Sequence, residues 1–383
     1  MNYRRFGKLD WKVSALGFGA MRLPTVGGDP SKVDEAEAIR MIRYAIDHGV
    51  NYIDSAYGYH SGQSERIVGK ALQDGYRAKT RIATKLPARN CQSAADFDRI
   101  FNEQLEKLQV QKLDFYLMHG LNGESWRKVR DMGVLRWAEA QMAKGLFDHL
   151  GFSFHDSYDA FRGILGDYDN WTFCQIQYNY MDVEHQAGRR GVEYAAARGL
   201  GIVVMEPMRG GKLSKAPEPV ARVWDSTEQK RGPVEWALQW VWNQPEISLA
   251  LSGMSTMEQV TENVILASRS APSLLTTEEL AIVDRAREAY RGLTPVSCTN
   301  CRYCMPCPNG VNIPGVFEIY NEAVMYDDTR GGRFRYRGGP TALKIEERAD
   351  QCIECGECLE ACPQRIEIPD WLKKAHELLG PRQ

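Results

Sequence analysis

Eight of the ten cysteines fall between Cys298 and Cys362, while Cys91 and Cys174 stand alone in the preceding residues. The first run is C-x2-C-x2-C-x2-C-P, and the second, starting at Cys352, is C-x2-C-x2-C-x3-C-P. Disulfide frameworks are typical of small secreted chains with little core, and a chain of 383 residues is not one. Crowded thiols in such a chain indicate metal ligation instead.

The second run has the spacing of bacterial ferredoxins, in which the cysteine before proline ligates the other of two clusters. Three closely spaced thiolates suit three irons of one cubane, because their loop can wrap a single corner of it. The spacing therefore predicts two [4Fe–4S] clusters with crossed ligands, although the first run is one residue shorter before Cys307. One cluster would be bound by Cys298, Cys301, Cys304 and Cys362, and the other by Cys352, Cys355, Cys358 and Cys307.

Structural zinc is the alternative for these cysteines, because C-x2-C pairs are common zinc ligands. Eight cysteines could form two all-thiolate zinc sites. Zinc motifs usually pair two such units across a gap, whereas here four cysteines follow one another at near-equal steps. The repeated spacing favours iron–sulfur clusters.

Four further residues could carry out proton chemistry. Asp54, Lys85 and His119 each end a short β-rich run, and Tyr59 follows five residues after Asp54. A phenol with a pKa of about 10 is a poor acid at neutral pH, and a nearby ammonium would favour the phenolate and lower that pKa. With Asp54 holding Lys85 and His119 donating to a carbonyl oxygen, the group could protonate an aldehyde or ketone as hydride arrives at its carbon.

Each of these residues also has a structural interpretation. Taken singly, Asp54 could cap a helix, Tyr59 could be a surface ring, Lys85 a solvated charge and His119 a satisfied buried histidine. Their placement at the ends of neighbouring strands favours a common function.

The elements that must position these residues alternate between short strands and amphipathic helices. Eight strands separated by helices over about 250–290 residues are typical of a TIM barrel, (β/α)8, with working residues at the carboxyl ends of the strands. A doubly wound sheet usually needs G-x-G-x-x-G after its first strand, and this chain has GFGAMR there. The predicted strands are Ala15–Phe18, Tyr52–Asp54, Ile82–Lys85, Phe115–His119, Leu150–Ser153, Phe173–Gln177, Ile202–Met205 and Ser248–Leu251.

Beyond the barrel, Thr276–Tyr290 is predicted to form an extra helix, and residues 292–295 a linker. Each cysteine run is followed by an apolar-x-Ile-Pro segment and a helical stretch, Val316–Met325 or Asp370–Leu379. The Gly- and Arg-rich insert Asp327–Lys344 is predicted to be a loop. The chain is thus expected to have a barrel domain, residues 1–292, and a small α-helical ferredoxin-like domain, residues 293–383.

The segments NYIDSAYGYHSGQSERIVGKAL, IATKLP and FYLMHG resemble the aldo-keto reductase family, over about residues 1–290. The resemblance implies an Asp–Tyr–Lys–His tetrad at Asp54, Tyr59, Lys85 and His119, and reversible NAD(P)H-dependent carbonyl reduction with tyrosine as the general acid. The tail is similar to that of reductases fused to a ferredoxin-like domain.

The resemblance also implies a nicotinamide site and a pyrophosphate loop. Ser153 and Gln175 match carboxamide-binding positions, but Phe154 stands where asparagine is usual. Met205 falls where an aromatic ring commonly stacks on nicotinamide, and a thioether packs there less rigidly. The remaining candidate cofactor contacts are Gly19 and Met21 after the first strand, and Gly210, Gly211 and Leu213 in the loop Met208–Leu213.

The adenosine end is similar to the family in LSGMSTMEQVTEN, which retains Glu262 and Asn263. The basic residues that usually clamp the 2′-phosphate are replaced by Gly253, Ser255 and Gln259. Since phosphate selectivity depends on Arg or Lys, this replacement favours NAD(H) slightly over NADP(H).

The formal net charge of −2 predicts no nucleic-acid or anionic-lipid partner. The sequence has no run of eighteen apolar residues and no signal peptide, so we expect a cytoplasmic protein without a membrane span.

Nicotinamides carry two electrons and [4Fe–4S] clusters one, so three arrangements remain open. The clusters could be structural or redox-sensing beside ordinary reduction of a small-molecule carbonyl. They could pass electrons from a ferredoxin or flavoprotein partner, or a flavin could bridge the two kinds of step. In a different class of function, the protein would be an electron-transfer or sensor protein without carbonyl turnover.

Overall fold

The structure is a computed structural model that describes residues 1–339 and 341–381. Eight parallel strands close into a barrel in which every strand pairs with two neighbours. The predicted (β/α)8 barrel is confirmed, and the ends of the eight predicted strands shift by at most three residues. The barrel strands are β3 Leu16–Gly19, β4 Tyr52–Asp54, β5 Arg81–Leu86, β6 Leu113–Leu121, β7 Phe147–Phe154, β8 Phe173–Gln177, β9 Gly201–Met205 and β10 Leu249–Gly253.

Parallel pairing brings the carboxyl ends of these strands to one rim. Gly19 of β3 pairs with Asp54 of β4, and Asp54 pairs with Ala83 of β5. Lys85, two residues further along β5, pairs with Leu117 of β6. The register therefore places the side chains at the ends of β4, β5 and β6 at adjacent positions on the same rim.

An antiparallel hairpin that the sequence did not predict precedes the barrel. Its strands are β1 Tyr3–Phe6 and β2 Leu9–Ser14. The buried ring of Phe6 packs against Tyr52, Phe115 and Phe173, two of which begin their strands. A Cβ on Gly201, at the start of β9, would lie 2.5 Å from this ring, so glycine is required there. The hairpin thus fills the amino-terminal end of the barrel.

Most helices of the first unit bury one apolar face. In α1 the buried positions Ala38, Met41, Ile42 and Ala45 recur at helical spacing, and Asp34 caps the helix by accepting from the Glu37 amide. The helices up to the tenth are α1 Glu35–Asp47, α2 Ser64–Ala71, α3 Ala95–Leu108, α4 Gly123–Asp131, α5 Val134–Ala143, α6 Tyr158–Gly166, α7 Gly188–Ala197, α8 Glu218–Asp225, α9 Pro233–Asn243 and α10 Met257–Ser268.

The chain forms two compact units. The first contains residues 1–211 and 235–277, and the second contains residues 212–234 and those from 278 onward. The predicted domain boundary after residue 292 stays a prediction, and residues 340, 382 and 383 of the predicted second domain lie outside the described residues.

The second unit is helical, as predicted. Besides α8, it contains the helices α11 Thr277–Gly292, whose first residue belongs to the first unit, α12 Ile313–Met325, α13 Thr329–Arg333, α14 Glu357–Ala361 and α15 Ile368–Leu379. Both α12 and α15 begin with Ile-Pro, which places proline in the first turn, where its missing N–H leaves no hydrogen bond unmade. Val316 and Phe317 of α12 share a core with Leu372 and Ala375 of α15. The two copies of the repeat thus contribute equivalent helices to one core.

The prediction of a loop over Asp327–Lys344 is wrong for most of that insert. Helix α13 is followed by a π-helical turn, Phe334–Gly338. The Gly- and Arg-rich sequence did not indicate these helical elements, because tertiary interactions stabilise them. Asp328 caps α13, Arg335 pairs with Glu318 and Glu322 on α12, and the buried Tyr336 hydroxyl accepts from the Ala349 amide. Pro340, within the insert, lies outside the described residues.

Candidate active site and cysteine-lined cavities

Four side chains that the sequence singled out converge at the carboxyl-terminal rim of the barrel. The buried Lys85 ammonium donates to Asp54 Oδ1 at 2.5 Å and to the Ser55 carbonyl at 2.7 Å. It also lies 3.3 Å from the Tyr59 hydroxyl. The Tyr59 and His119 rings meet edge to face, with centroids 5.8 Å apart. One ammonium therefore links a carboxylate to a phenol beside an imidazole.

The charges in this cluster keep Lys85 protonated. Burial alone would lower the pKa of Lys85, but Asp54 and the Tyr59 phenol more than offset this, so the pKa is raised above its usual value. Asp54 Oδ2 is buried and has no hydrogen-bond partner among the described residues. The carboxylate thus directs one oxygen to Lys85 and leaves the other unsatisfied.

The prediction that the pKa of Tyr59 is lowered is wrong, because the net shift is upward. Burial raises the pKa of Tyr59 above the usual value, and the nearby Lys85 ammonium only partly opposes this. The sequence identified the ammonium but could not reveal how far the phenol is removed from water.

His119 is neutral in this environment. Burial, helped by the positive charge of Lys85, lowers the pKa of His119 to about 3. A neutral imidazole carries one N–H and can donate a hydrogen bond without adding charge to the site. The tetrad therefore contains one positive charge, on Lys85, paired with Asp54.

A buried polar network beneath the tetrad was missed by sequence reasoning. Thr84 donates to Glu65 Oε1 at 2.5 Å, and Gln104 donates to Glu65 at 2.7 Å and to the Lys85 carbonyl at 3.0 Å. The Tyr116 hydroxyl donates to Gln104 at 2.7 Å. The only sequence signal was a glutamate among the inward-facing positions of α2. This network fixes the backbone of β5 at the residue that carries the ammonium.

His60, next to Tyr59, has a structural role in the loops. Its Nε2 accepts from the Leu23 amide at 3.0 Å, and its Nδ1 lies 2.9 Å from the Pro30 carbonyl. Both ring nitrogens are therefore engaged with backbone groups.

The predicted nicotinamide residues come together on three adjacent strands. Gln175 is buried, with its Nε2 3.9 Å from Met205 Sδ, while its Oε1 has no partner among the described residues. Ser153 is paired in register with Gln175, and its Oγ accepts from the Gly120 amide at 2.7 Å, which leaves its proton to donate. An unpartnered amide oxygen beside a free hydroxyl donor fits a bound carboxamide, which has both a donor and an acceptor.

Phe154 occupies a different environment from Ser153. It is fully buried and packs edge to face on Phe161 of α6, with ring centroids 5.1 Å apart. It therefore belongs to the layer between strand and helix and offers no polar group to a cofactor.

The other predicted cofactor positions lie at the end of β3, in the loops after β3 and β9 and on α10, and one lies in the second unit. Gly19 ends β3, and Met21 is 58% exposed in the following loop. Asn263 is buried and donates to the Ser252 hydroxyl at 3.0 Å, while Glu262 lies on an exposed face of α10. Gly210 and Gly211 are exposed, with positive φ values of 68° and 96°, in the loop after β9. Leu213 belongs to the second unit, where it is buried.

The eight clustered cysteines of the second unit line two cavities. One is lined by Cys298, Cys301, Cys304 and Cys362. The other is lined by Cys307, Cys352, Cys355 and Cys358, with Cys304 also at its wall. Each cavity therefore combines three cysteines of one run with the last cysteine of the other, as in the predicted crossed ligation.

Burial disfavours the thiolate form at three of these cysteines. Burial and the neighbouring cysteines raise the pKa of the Cys358 thiol to about 11, and burial also raises the pKa of Cys298 and Cys304. A bound cation would reverse this, because thiolates are the ligand form. No three His, Cys, Asp or Glu side chains within residues 1–339 and 341–381 converge closely enough to bind a single metal ion. Thiols arranged around a shared cavity suit a cluster in which each thiolate binds a different iron.

Family models agree with both parts of the chain. Residues 15–288 match the aldo/keto reductase family, and residues 297–367 match the 4Fe-4S dicluster domain. The chain therefore belongs to the aldo/keto reductase family, is an oxidoreductase, and carries a C-terminal 4Fe–4S domain.

Individual relatives match about three quarters of the chain. L-galactose dehydrogenase of Arabidopsis thaliana is 26% identical over 312 residues, covering 76% of this chain and 96% of the relative. The solved holo structure of aldo-keto reductase AKR11C1 from Bacillus halodurans has a TM-score of 0.61 and 25% identity, covering 75% of this chain and 96% of that one. An aldo-keto reductase from Klebsiella pneumoniae, solved in complex with NADPH, shares the fold with a TM-score of 0.58 and 21% identity, covering 74% of this chain and 94% of that one.

No helix in the described ranges, 1–339 and 341–381, combines the length and apolar character needed to span a bilayer.

Proposed function

We propose that the barrel catalyses the reversible NAD(P)H-dependent reduction of an aldehyde or ketone, with Asp54, Tyr59, Lys85 and His119 as its catalytic group. The observation that supports this most strongly is the position of the Lys85 ammonium, 2.5 Å from Asp54 Oδ1 and 3.3 Å from the Tyr59 hydroxyl. A phenol held against a cation is suited to give up a proton during reaction and to be stabilised afterwards.

The cofactor would bind at the rim beside this group. A reduced nicotinamide supplies the hydride when it is bound. Gln175 Oε1 and the Ser153 hydroxyl would hold its carboxamide, and the Met205 thioether would pack on its ring. The buried, unpartnered Gln175 oxygen supports this assignment, because leaving it without a donor is costly.

The proton would come from Tyr59. Because burial raises the pKa of Tyr59, the phenol stays protonated at neutral pH and can donate to the carbonyl oxygen. As the O–H bond breaks, the adjacent Lys85 ammonium stabilises the phenolate, and Asp54 keeps the ammonium in place. Neutral His119 would donate a second hydrogen bond to the same oxygen, which orients the substrate and stabilises the charge that develops there.

In the second unit we propose two [4Fe–4S] clusters with crossed ligands, Cys298, Cys301, Cys304 and Cys362 holding one and Cys352, Cys355, Cys358 and Cys307 the other. The lining of the two cavities supports this partition. Since a cluster passes electrons singly and a hydride carries two, the clusters would serve structure or redox sensing rather than the hydride step. Eight reduced thiols fit a cytoplasmic location.

The test is cofactor oxidation by anaerobically purified protein with NADH or NADPH and a panel of aldehydes and ketones. We expect oxidation that depends on the carbonyl and is lost in Lys85→Met. If the protein binds a reduced cofactor but no carbonyl in the panel stimulates its oxidation, the proposed reaction is wrong.

A further inference from the structure

We propose that Arg22 binds the pyrophosphate of the nicotinamide dinucleotide. This inference rests on the proposed function, because it assigns a residue to the cofactor of the same site. Arg22 lies in the loop after β3, three residues beyond Gly19. Gly19 pairs in register with Gly253, at the end of β10. Arg22 therefore leaves the rim where the first and last barrel strands meet.

Two glycines leave room for the Arg22 side chain. A Cβ on Gly253 would lie 3.1 Å from Arg22 Cγ and 3.2 Å from its Cβ and Cδ. A Cβ on Gly210 would lie 3.2 Å from Arg22 Nη2. The aliphatic stem thus runs past Gly253, and the guanidinium reaches Gly210, in the loop that the sequence assigned to the pyrophosphate.

The backbone of Arg22 is held by the same segment of β10 and α10. Ser255 Oγ donates to the Arg22 carbonyl at 2.8 Å, and the Ser255 amide donates to Gln259 Oε1 at 2.8 Å. Gly253, Ser255 and Gln259 are the three positions at which the family resemblance led us to expect basic residues. In this chain Gly253 and Ser255 instead contact an arginine from another loop, and Gln259 bonds to Ser255.

The Arg22 guanidinium is available for an anion. It is exposed and makes no hydrogen bond or ion pair with any residue in the ranges 1–339 and 341–381. Arg209, the cation that precedes Gly210 in the loop after β9, is already paired with Asp182 at 2.9 Å. A guanidinium presents a planar fork of donors that matches phosphate oxygens.

The pyrophosphate fits the position of this guanidinium better than the 2′-phosphate does. The charged end of Arg22 lies beside Gly210, whereas Ser255, at the adenosine end, contacts only its backbone carbonyl. The pyrophosphate is common to NADH and NADPH, so Arg22 should strengthen the binding of both cofactors equally.

The experiment is titration of the cluster-loaded protein with NADH and with NADPH. Tryptophan fluorescence monitors binding and gives a Kd for each cofactor. In Arg22→Gln we expect Kd to rise about tenfold or more for both cofactors, with their ratio unchanged, because a charge-assisted contact is lost. Arg136→Gln is the matched control, since Arg136 is exposed on α5 and no bond of its side chain is seen among the described residues. This control should leave both Kd values unchanged.

A second variant keeps the charge and displaces it. Gly253 has no positive φ, so Gly253→Ala is tolerated by the backbone but crowds the Arg22 stem. It should weaken binding of both cofactors, and the double variant with Arg22→Gln should bind no more weakly than Arg22→Gln alone. Unchanged Kd values in Arg22→Gln, a loss confined to NADPH, or additive losses in the double variant would each overturn the proposal. If the unmodified protein bound neither cofactor, the proposed function itself would be wrong.

Discussion

At the scale of single residues, opposing effects on one phenol set the chemistry of the site. Burial raises the pKa of Tyr59, and Lys85, 3.3 Å away, lowers it by favouring the phenolate. The four tetrad positions could be predicted from residue types at strand ends. The net direction of the pKa shift could not, because it depends on how much water the folded barrel removes. The proposed role of Arg22 was also missed, since it depends on two glycines that are distant in sequence.

These pKa shifts predict the pH dependence of carbonyl reduction. The general acid must be protonated, so kcat/KM should fall as pH rises through the Tyr59 pKa, which lies above the ordinary value of about 10. Because the pKa of His119 is lowered to about 3, its titration should cause no change in kcat/KM near neutral pH. The measurement is a pH profile of kcat/KM, with cofactor Kd over the same range as the control. An inflection near the ordinary histidine pKa of about 6.5 would contradict this assignment.

At the scale of elements, the barrel strands were predictable and the hairpin was not. Runs such as GIVVM in β9 are continuously apolar because both faces of a barrel strand are buried. Strand β1, YRRF, buries only Arg4 and Phe6 and exposes Tyr3 and Arg5, so its alternating pattern was too short to identify. The loop prediction for the insert after α12 was wrong for a related reason. The helical turns of the insert depend on ion pairs with α12 rather than on local helix propensity.

The hairpin should matter for stability although it lies far from the tetrad. Phe6 is fully buried against Tyr52, Phe115 and Phe173 at the base of the barrel. Phe6→Ala should lower the free energy of unfolding by about 3–5 kcal/mol, as for other buried phenylalanines. Denaturant titration followed by circular dichroism measures this change.

Arg5→Ala is the control for that experiment, because Arg5 is exposed on the same strand. Its effect should stay within about 0.5 kcal/mol. Equal losses in the two variants would show that Phe6 contributes no more than an exposed neighbour.

At the scale of the whole molecule, the chain consists of a barrel unit and a helical unit whose cysteines come from two copies of one motif. The spacing predicted which cysteines share a cavity, because in the two-cluster ferredoxin motif the cysteine before proline ligates the other cluster. The sequence could not predict that residues 212–234 group with the C-terminal helices rather than with the barrel. Such grouping depends on long-range contacts that leave no local pattern.

Crossed ligation predicts a specific pattern of iron loss. The unmodified protein should contain about eight irons and eight acid-labile sulfides per chain. Cys298→Ser combined with Cys362→Ser should remove about four irons, since both ligate one cluster, whereas Cys298→Ser combined with Cys307→Ser should affect both clusters. Iron and sulfide analysis after anaerobic purification measures this. Cys91→Ser, at a buried barrel cysteine, is the control and should keep full iron content. The opposite pattern would mean that each motif binds its own cluster.

The most direct test of the whole account is a comparison of two neighbouring tyrosines in the cofactor oxidation assay. Tyr59→Phe removes the hydroxyl beside Lys85, while Tyr57→Phe removes a hydroxyl that donates to Glu103 at 2.9 Å. We predict that Tyr59→Phe lowers kcat about 100-fold or more with cofactor Kd unchanged, and that Tyr57→Phe keeps nearly full activity. Carbonyl reduction at an undiminished rate in Tyr59→Phe would contradict the assignment of the proton donor and of the active site built around it.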